Sequence, residues 1–447
     1  MDHSAPSTNG VMTGHFRLRA ELQLVGSPAF RRSSSSGPAP SSRCLAPFCL
    51  VVALAAAAPG LGGEAKAECP TDEQGRKHGL CKELHENGKL KSEATYRHGA
   101  LHGTSKSYYE TGRGHISAEY ADGKLHGKCQ EYDEKGTLLK AEVWREGWLA
   151  FPRTSAQVRE TLQALSRARV DTVGKDGTER RTSDLKRVQA VRNLMTYRFL
   201  CDVPYEGMKL SDELNEMAQA GAEILERLGR LDHNPPNPGL PEDRYQLGLK
   251  GTQGSCLHQG PDVANAIHGY MDDSDPKNIS RGVGHRRWCL SPPMLLVGTA
   301  SKGAFSAFYN KDKSRKDVPD WDSIVFPCRG YMPTDLFKPS YAWSVSLNRA
   351  KFAVPTKDSA KVTVTPTSQG FTKARTPLKL DFFDTNDYTP NLDPAIVFRP
   401  AGLRIANGAR YLVEVAGIST KDGQPAEIKY LVEFLDLDTL TPSKSSR

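Results

Sequence analysis

Apolar positions along the chain fall into distinct textures. Leu185, Val188, Val191, Met195 and Phe199 recur every three or four residues and predict a helix over 184–199. Leu214, Met217, Gly221, Ile224, Leu225 and Leu228 predict a second over 211–228. Ser211 is placed to cap its start, Asp212 and Glu213 fill its first turn, and Gly229 is placed to stop it. A third helix is expected over 260–271, leading into an acidic turn at 272–275. Short apolar runs at 294–299, 303–309 and 323–326 read as strands, so this part of the chain predicts an α+β layered domain. From 341 onward the texture changes to short β-prone runs, at 341–347, 361–365, 378–383, 395–398, 411–415 and 428–434. Gly, Pro, Asn and Asp turns separate them, which predicts a β-sandwich.

A different regularity occupies 75–149. The pair His-Gly occurs at His78-Gly79, His102-Gly103 and His126-Gly127, 24 residues apart. Gly88, Gly112 and Gly136 keep that interval, as do Tyr96, Tyr120 and Trp144, and Gly99, Gly123 and Gly147. A fixed period of this kind marks stacked units, each too small to bury its own apolar face. Polar-aromatic runs flanking Gly turns predict one β-hairpin per unit, with the aromatic stripe buried between units. The repeated histidines read as turn and strand-entry residues.

The apolar run at 44–59 is close to the length of a signal-peptide core and short for a membrane span. Arg31, Arg32 and Arg43 precede it and Ala65-Lys66-Ala67 follows, a small-residue cleavage pattern. The expected organisation is therefore a signal peptide with a long n-region (1–67), hairpin repeats (68–149), a basic, partly helical linker (150–182), the α+β domain (183–338) and the β-sandwich (339–447). The protein is expected to be secreted or periplasmic, with no stable membrane span after cleavage. In an oxidising compartment cysteines pair. Cys69 and Cys81 are expected to bond, and Cys201, Cys256, Cys289 and Cys328 to form two bridges, leaving Cys129 over. No cysteine spacing resembles a zinc ribbon.

The net charge of +8 includes +3 from residues 1–67, and the remaining excess is too small to argue for nucleic acid. The basic stretch from Arg153 to Arg198 has few aromatics for base stacking. No nucleic-acid partner is expected.

Candidate chemistry centres on SRGVGHRRWCLSP, residues 280–292. His285 reads as a cleft-facing strand residue, as one half of a divalent-metal site with His233, or as a catalytic base. Strand alternation would put Arg286 and Arg287 on opposite faces, one of them in solvent. Trp288 reads as core. His233 follows a helix end in Leu231-Asp232-His233-Asn234-Pro235.

The element Gly123-Lys124-Leu125-His126-Gly127 and its copies resemble MORN-type repeats, which implies a protein- or envelope-facing surface. Farther on, a helix carrying Asn193, Tyr197 and Arg198 is followed by LDHNP, an acidic turn, VGHRRWCLSP and FPCRGYMP. This order resembles the CAP superfamily of cysteine-rich secretory, antigen 5 and pathogenesis-related proteins, in its bacterial SCP-like extracellular branch, over residues 183–338. The resemblance implies a CAP-like α-β-α sandwich with a cleft built around two histidines and two glutamates. His233 and His285 match the histidines. Residues 251–256, where the family has Gly-Glu-Asn, hold no acid, and the second glutamate has no match. The C-terminal third looks immunoglobulin-like at the level of fold only. The expectation is a secreted bacterial CAP-domain protein that binds an extracellular protein or glycan, or another component of the cell envelope. The alternative is a metal-assisted hydrolase with zinc at His233 and His285.

Overall fold

Antiparallel strands follow one another from Ala67–Glu68 to Trp148–Phe151 and pair in chain order as an eight-stranded sheet. The computed structural model describes residues 67–367, 376–387 and 391–438. The expected signal segment, up to Lys66, lies outside them. Each repeat is a hairpin, and the two-residue turns His98-Gly99, Asp122-Gly123 and Glu146-Gly147 have positive φ at both positions, 48–49° and then 81–88°. Turns of this hand match the twist of the flanking strands. The buried stripe is made mostly of small residues: Ala94 and Ala118 on one register, continued by Glu142 in the third copy, and Cys81, Ser105 and Cys129 on another. Of the aromatic series Tyr96 is buried, while Tyr120 and Trp144 are half-buried. Cys69 and Cys81 form the expected disulfide.

Seven helices follow: α1 (Ser155–Ser166), α2 (Leu185–Leu200), α3 (Asp212–Leu228), α4 (Glu242–Gly254), α5 (Val263–Asp272), α6 (Pro276–Ile279) and α7 (Gly284–Cys289). The local signals for α2 and α3 operate as read. Asp184 accepts from the Lys186 and Arg187 amides, Ser211 accepts from Leu214, and Gly229 closes α3 at φ 65°. A second sheet runs in the order Glu179–Arg181, Asp171–Val173, Lys209–Ser211, Leu296–Lys302, Phe305–Tyr309, Ser255–Gln259. α3 lies along its last two long strands and packs on α4, while α2 pairs with α5.

The last two sheets run Ser323–Phe326, Trp343–Leu347, Ala395–Pro400, Leu380–Asn386 and Gly330–Pro333, Pro425–Leu435, Arg410–Ser419, Lys361–Thr367. They pack through Trp343 against Tyr411, with ring centroids 6.2 Å apart, and Tyr411 in turn meets Phe434 of its own sheet at 6.1 Å.

The expected fold class needs correction. Among the described residues strand makes up 38% and helix 22%, in four mostly antiparallel sheets, and no CAP α-β-α sandwich is shown. Nor does an independent immunoglobulin-like sandwich begin at 339. Each of the last two sheets takes an edge strand from 323–333, and one of those pairings, Gly330–Pro333 with Pro425–Leu435, is parallel. The reason is burial. Val191, Tyr197, Phe326, Trp343, Phe398 and Phe434 belong to one continuous core. The repeat sheet joins the assembly as well, where Ala150 and Phe151 bury against Leu412 and Leu431.

The turn geometry makes a paired prediction. Gly123→Val forces a β-branched residue into the left-handed region and is expected to cost about 1–2 kcal/mol. Gly114→Val, at a strand start with no positive φ and open space where its Cβ would sit, is expected to be neutral or mildly stabilising. Urea midpoints of the two variants check this, and equal losses would contradict the turn assignment.

Candidate functional site

α7 is the motif read from sequence as a strand, and its helical state follows from a distant carboxylate. Asp273 closes α5 at φ 46° and is 3% exposed. Its Oδ2 accepts from the backbone amides of His285 at 2.8 Å and Arg286 at 3.3 Å. Its Oδ1 accepts from His285 Nδ1 at 2.8 Å. One side chain therefore satisfies the first amides of a helix 12 residues away and holds the imidazole that the helix presents. Val283, just before α7, has φ 49° although β-branched. It is fully buried with Ile279, Ala342, Ala395 and Val397, which hold it in that conformation.

The arginines also differ from expectation. A helix turns successive side chains by about 100° rather than 180°, and both arginines are buried. Arg286 donates to the carbonyls of Met271 (2.7 Å), Ala342 (2.8 Å) and Asp272 and to Ser344 Oγ (3.1 Å). Arg287 donates to the carbonyls of Gly282 and Asp393 and to Asn386 Oδ1. Each guanidinium ties α7 to the C-terminal strands.

His285 and His233 line one open cavity of about 540 Å³. Its wall includes Cys256, Trp288, Arg281, Arg287, Lys311 and Lys313. His233 Nδ1 lies 2.8 Å from the Thr252 carbonyl, so the ring donates there and leaves Nε2 as its remaining nitrogen. Burial pushes the His233 pKa down, and the positive charge of His285 adds to that, so the ring is neutral near pH 7. His285 behaves oppositely. Burial alone lowers its pKa, but the hydrogen bond and charge of Asp273, with a contribution from Cys256, raise it to about 9. The cleft thus pairs a neutral imidazole with an imidazolium.

Trp288, expected in the core, is half-buried and faces this cavity. Cys201, Cys256, Cys289 and Cys328 are buried thiols rather than two disulfides, and Cys129 is buried as well. Asn310 Nδ2 donates to Cys256 Sγ at 3.1 Å and Cys289 Sγ at 3.6 Å. Burial pushes the Cys256 thiol well up, and the thiol points at the His285 carbonyl (3.9 Å), not at an imidazole. It is no activated nucleophile.

The zinc expectation finds little support at His233 and His285. Zinc needs at least three protein ligands, and among the described residues no third His, Cys, Asp or Glu completes a cluster with this pair. A metal at His285 would also have to displace a proton held to about pH 9. The group of metal-competent side chains lies elsewhere, at Asp72, His78 and His98 on the first repeat, with ligand atoms within 4.8 Å of one another. There Arg76 Nη2 already sits 2.9 Å from Asp72 Oδ2 and 3.1 Å from His98 Nδ1, so a cation occupies that role within the chain itself.

A family model described as a MORN repeat variant matches residues 77–98. No curated protein matches the chain. The CAP resemblance read from the motif order has no support from these comparisons.

Sequence reasoning finds His233 and His285 but not the group that governs them. Asp273 stands in the acidic turn it singles out, where four polar residues in a row hide which one is buried. Arg281, Lys311 and Lys313 are single cations in loops and carry no sequence signal.

The Asp273–His285 pair makes a pH prediction. The folded pKa of His285 exceeds its unfolded value of 6.5, so its stabilisation is complete below about pH 6.5 and is lost as pH rises through about 9. Asp273→Asn is expected to cost about 3–5 kcal/mol near neutral pH and to abolish that alkaline loss. Denaturant midpoints of both proteins from pH 6 to 10 test this. A variant with the wild-type pH profile would contradict the pairing.

Proposed function

We propose that the chain is a ligand-binding protein of the cell envelope or extracellular space, secreted or periplasmic, with the His233–His285 cleft as its ligand site. The MORN-type array supplies a second contact surface toward protein or envelope. The observation that carries the reading is the ion pair of His285 with buried Asp273. It turns the cleft imidazole that has a carboxylate partner into a fixed donor at neutral pH. A general base needs a pKa near working pH with its lone pair free, and His285 has neither. Rigid donors around an open cavity are what recognition requires. The disulfide in the first repeat, following an apolar run and a small-residue pattern, supports an oxidising compartment.

The same features weigh against metal-assisted hydrolysis, which needs a third ligand and a deprotonated histidine.

Cosedimentation of the full chain with purified cell-wall material tests the reading. Retention is expected, with Trp288→Ala reducing it about fivefold or more, in line with loss of an aromatic anchor, and with no soluble fragments released. Release of fragments that stops in His233→Ala or His285→Ala would replace binding with catalysis.

A further inference from the structure

We infer that the cleft takes an acidic sugar, a unit carrying a carboxylate or phosphate group whose ring stacks on Trp288. The inference rests on the reading of the cleft as the ligand site and names what that site selects.

Among the described residues the cavity wall carries Arg281, Arg287, Lys311 and Lys313 and no Asp or Glu. Charges of one sign lining a cleft reinforce one another because its low-dielectric walls focus their field. The acids nearby are committed elsewhere. Asp273 holds His285 and Arg286. Asp312 accepts from the amides of Leu295, Leu296 and Ser314. Asp387 pairs with Arg349. His285 and Asp273 cancel, so the four Lys and Arg side chains set the field.

Among the described residues none of these four cations forms an ion pair with a carboxylate, and Asp393 and Asp387 act on Arg287 only at longer range. Among the described residues, the exposed side chains of Arg281 and Lys313 have no hydrogen-bond or ion-pair partner. Lys311 is half-buried with its ammonium 5.1 Å from the centre of the Trp288 ring, and it donates to the Gln253 carbonyl. Arg287 is 5% exposed, its two terminal nitrogens donate only to neutral oxygens, and its Nε has no partner among the described residues. A buried cation that meets only neutral acceptors gains from an incoming anion.

The remaining wall specifies more than a bare anion. Ser255, one of the lining residues, is 1% exposed, and its buried Oγ has no partner among the described residues. An unsatisfied buried hydroxyl is costly unless a ligand or water completes it. The half-buried Trp288 ring offers a flat apolar face, and the cavity volume of about 540 Å³ exceeds what an inorganic anion fills. A sugar ring offers hydroxyls for the first feature and a C–H face for the second, and its acid group answers the cations.

Calorimetric titration of the full chain with D-glucuronate, glucose 6-phosphate, glucose and inorganic phosphate tests this, at low and high salt. Both acidic sugars are expected to bind, with glucose and inorganic phosphate each roughly tenfold or more weaker. The double variant Arg281→Ala with Lys313→Ala, both exposed, should weaken the acidic sugars roughly tenfold and leave glucose unchanged. Glucose binding as tightly as glucuronate, or no binding by either acidic sugar, overturns the inference. If glucose and the acids bind alike and all are lost in Trp288→Ala, the cleft remains the ligand site and only the charge selection falls. Acidic sugars that bind both variants as they bind the wild type overturn the cleft reading itself.

Discussion

The buried carboxylate of Asp273 fixes more of this structure than any other single group. It accepts from two backbone amides and one imidazole of a helix 12 residues downstream, and it does so with a side chain fully shielded from solvent. An isolated charge in that position would be prohibitive. The imidazolium and the helix start make it tolerable, and in return the helix start exists only because the carboxylate is there. Arg286 then extends the same knot to the strand beginning at Trp343, through the Ala342 carbonyl and Ser344. A cluster of polar bonds, rather than a linker, joins the helical layer to the C-terminal sheets.

That junction explains why the chain does not divide where its texture changes. Composition shifts near residue 339, but the core runs through it. Arg198, buried in α2, donates to the carbonyls of Pro204, Cys289 and Ser291. Arg315 joins Met294 to Glu206. Buried guanidinium groups repeatedly satisfy the carbonyls of irregular segments that no helix or sheet pairs. They cost desolvation, visible in the lowered pKa of Arg198 and Arg286, and they hold the cleft walls in register.

Elements whose signals are local are legible in the sequence. The repeat turns, α2 and α3 carry their caps and spacing within a few residues. α7 is not legible, because its cap comes from Asp273 and its two arginines are buried by partners far along the chain. α4 escapes for a different reason: Gly248, Gly251 and Gly254 are poor helix formers, yet Gly248 and Gly251 are needed where α3 approaches and Gly254 where Tyr309 does. A Cβ at Gly251 would meet the Met217 carbonyl. Of the site, the two histidines are visible as unusual neighbours of Gly, Arg and Pro. The charge state that decides their chemistry is not, since it depends on which of several adjacent acids is buried. The two bridges expected among Cys201, Cys256, Cys289 and Cys328 fail similarly, unlike Cys69–Cys81: shared segments bring Cys256 and Cys289 to one asparagine without a bond between them.

The cleft then reads as a consequence of the knot. In the proposed reading, a fixed imidazolium, a neutral imidazole and the cations lining the cavity serve binding rather than proton transfer. The most direct test is the ring nitrogen shifts of His285 by NMR across pH 6 to 10. The account predicts an imidazolium near neutral pH that loses its proton near pH 9. A ring that is already neutral at about pH 7.5, titrating at or below the ordinary histidine value, would contradict it.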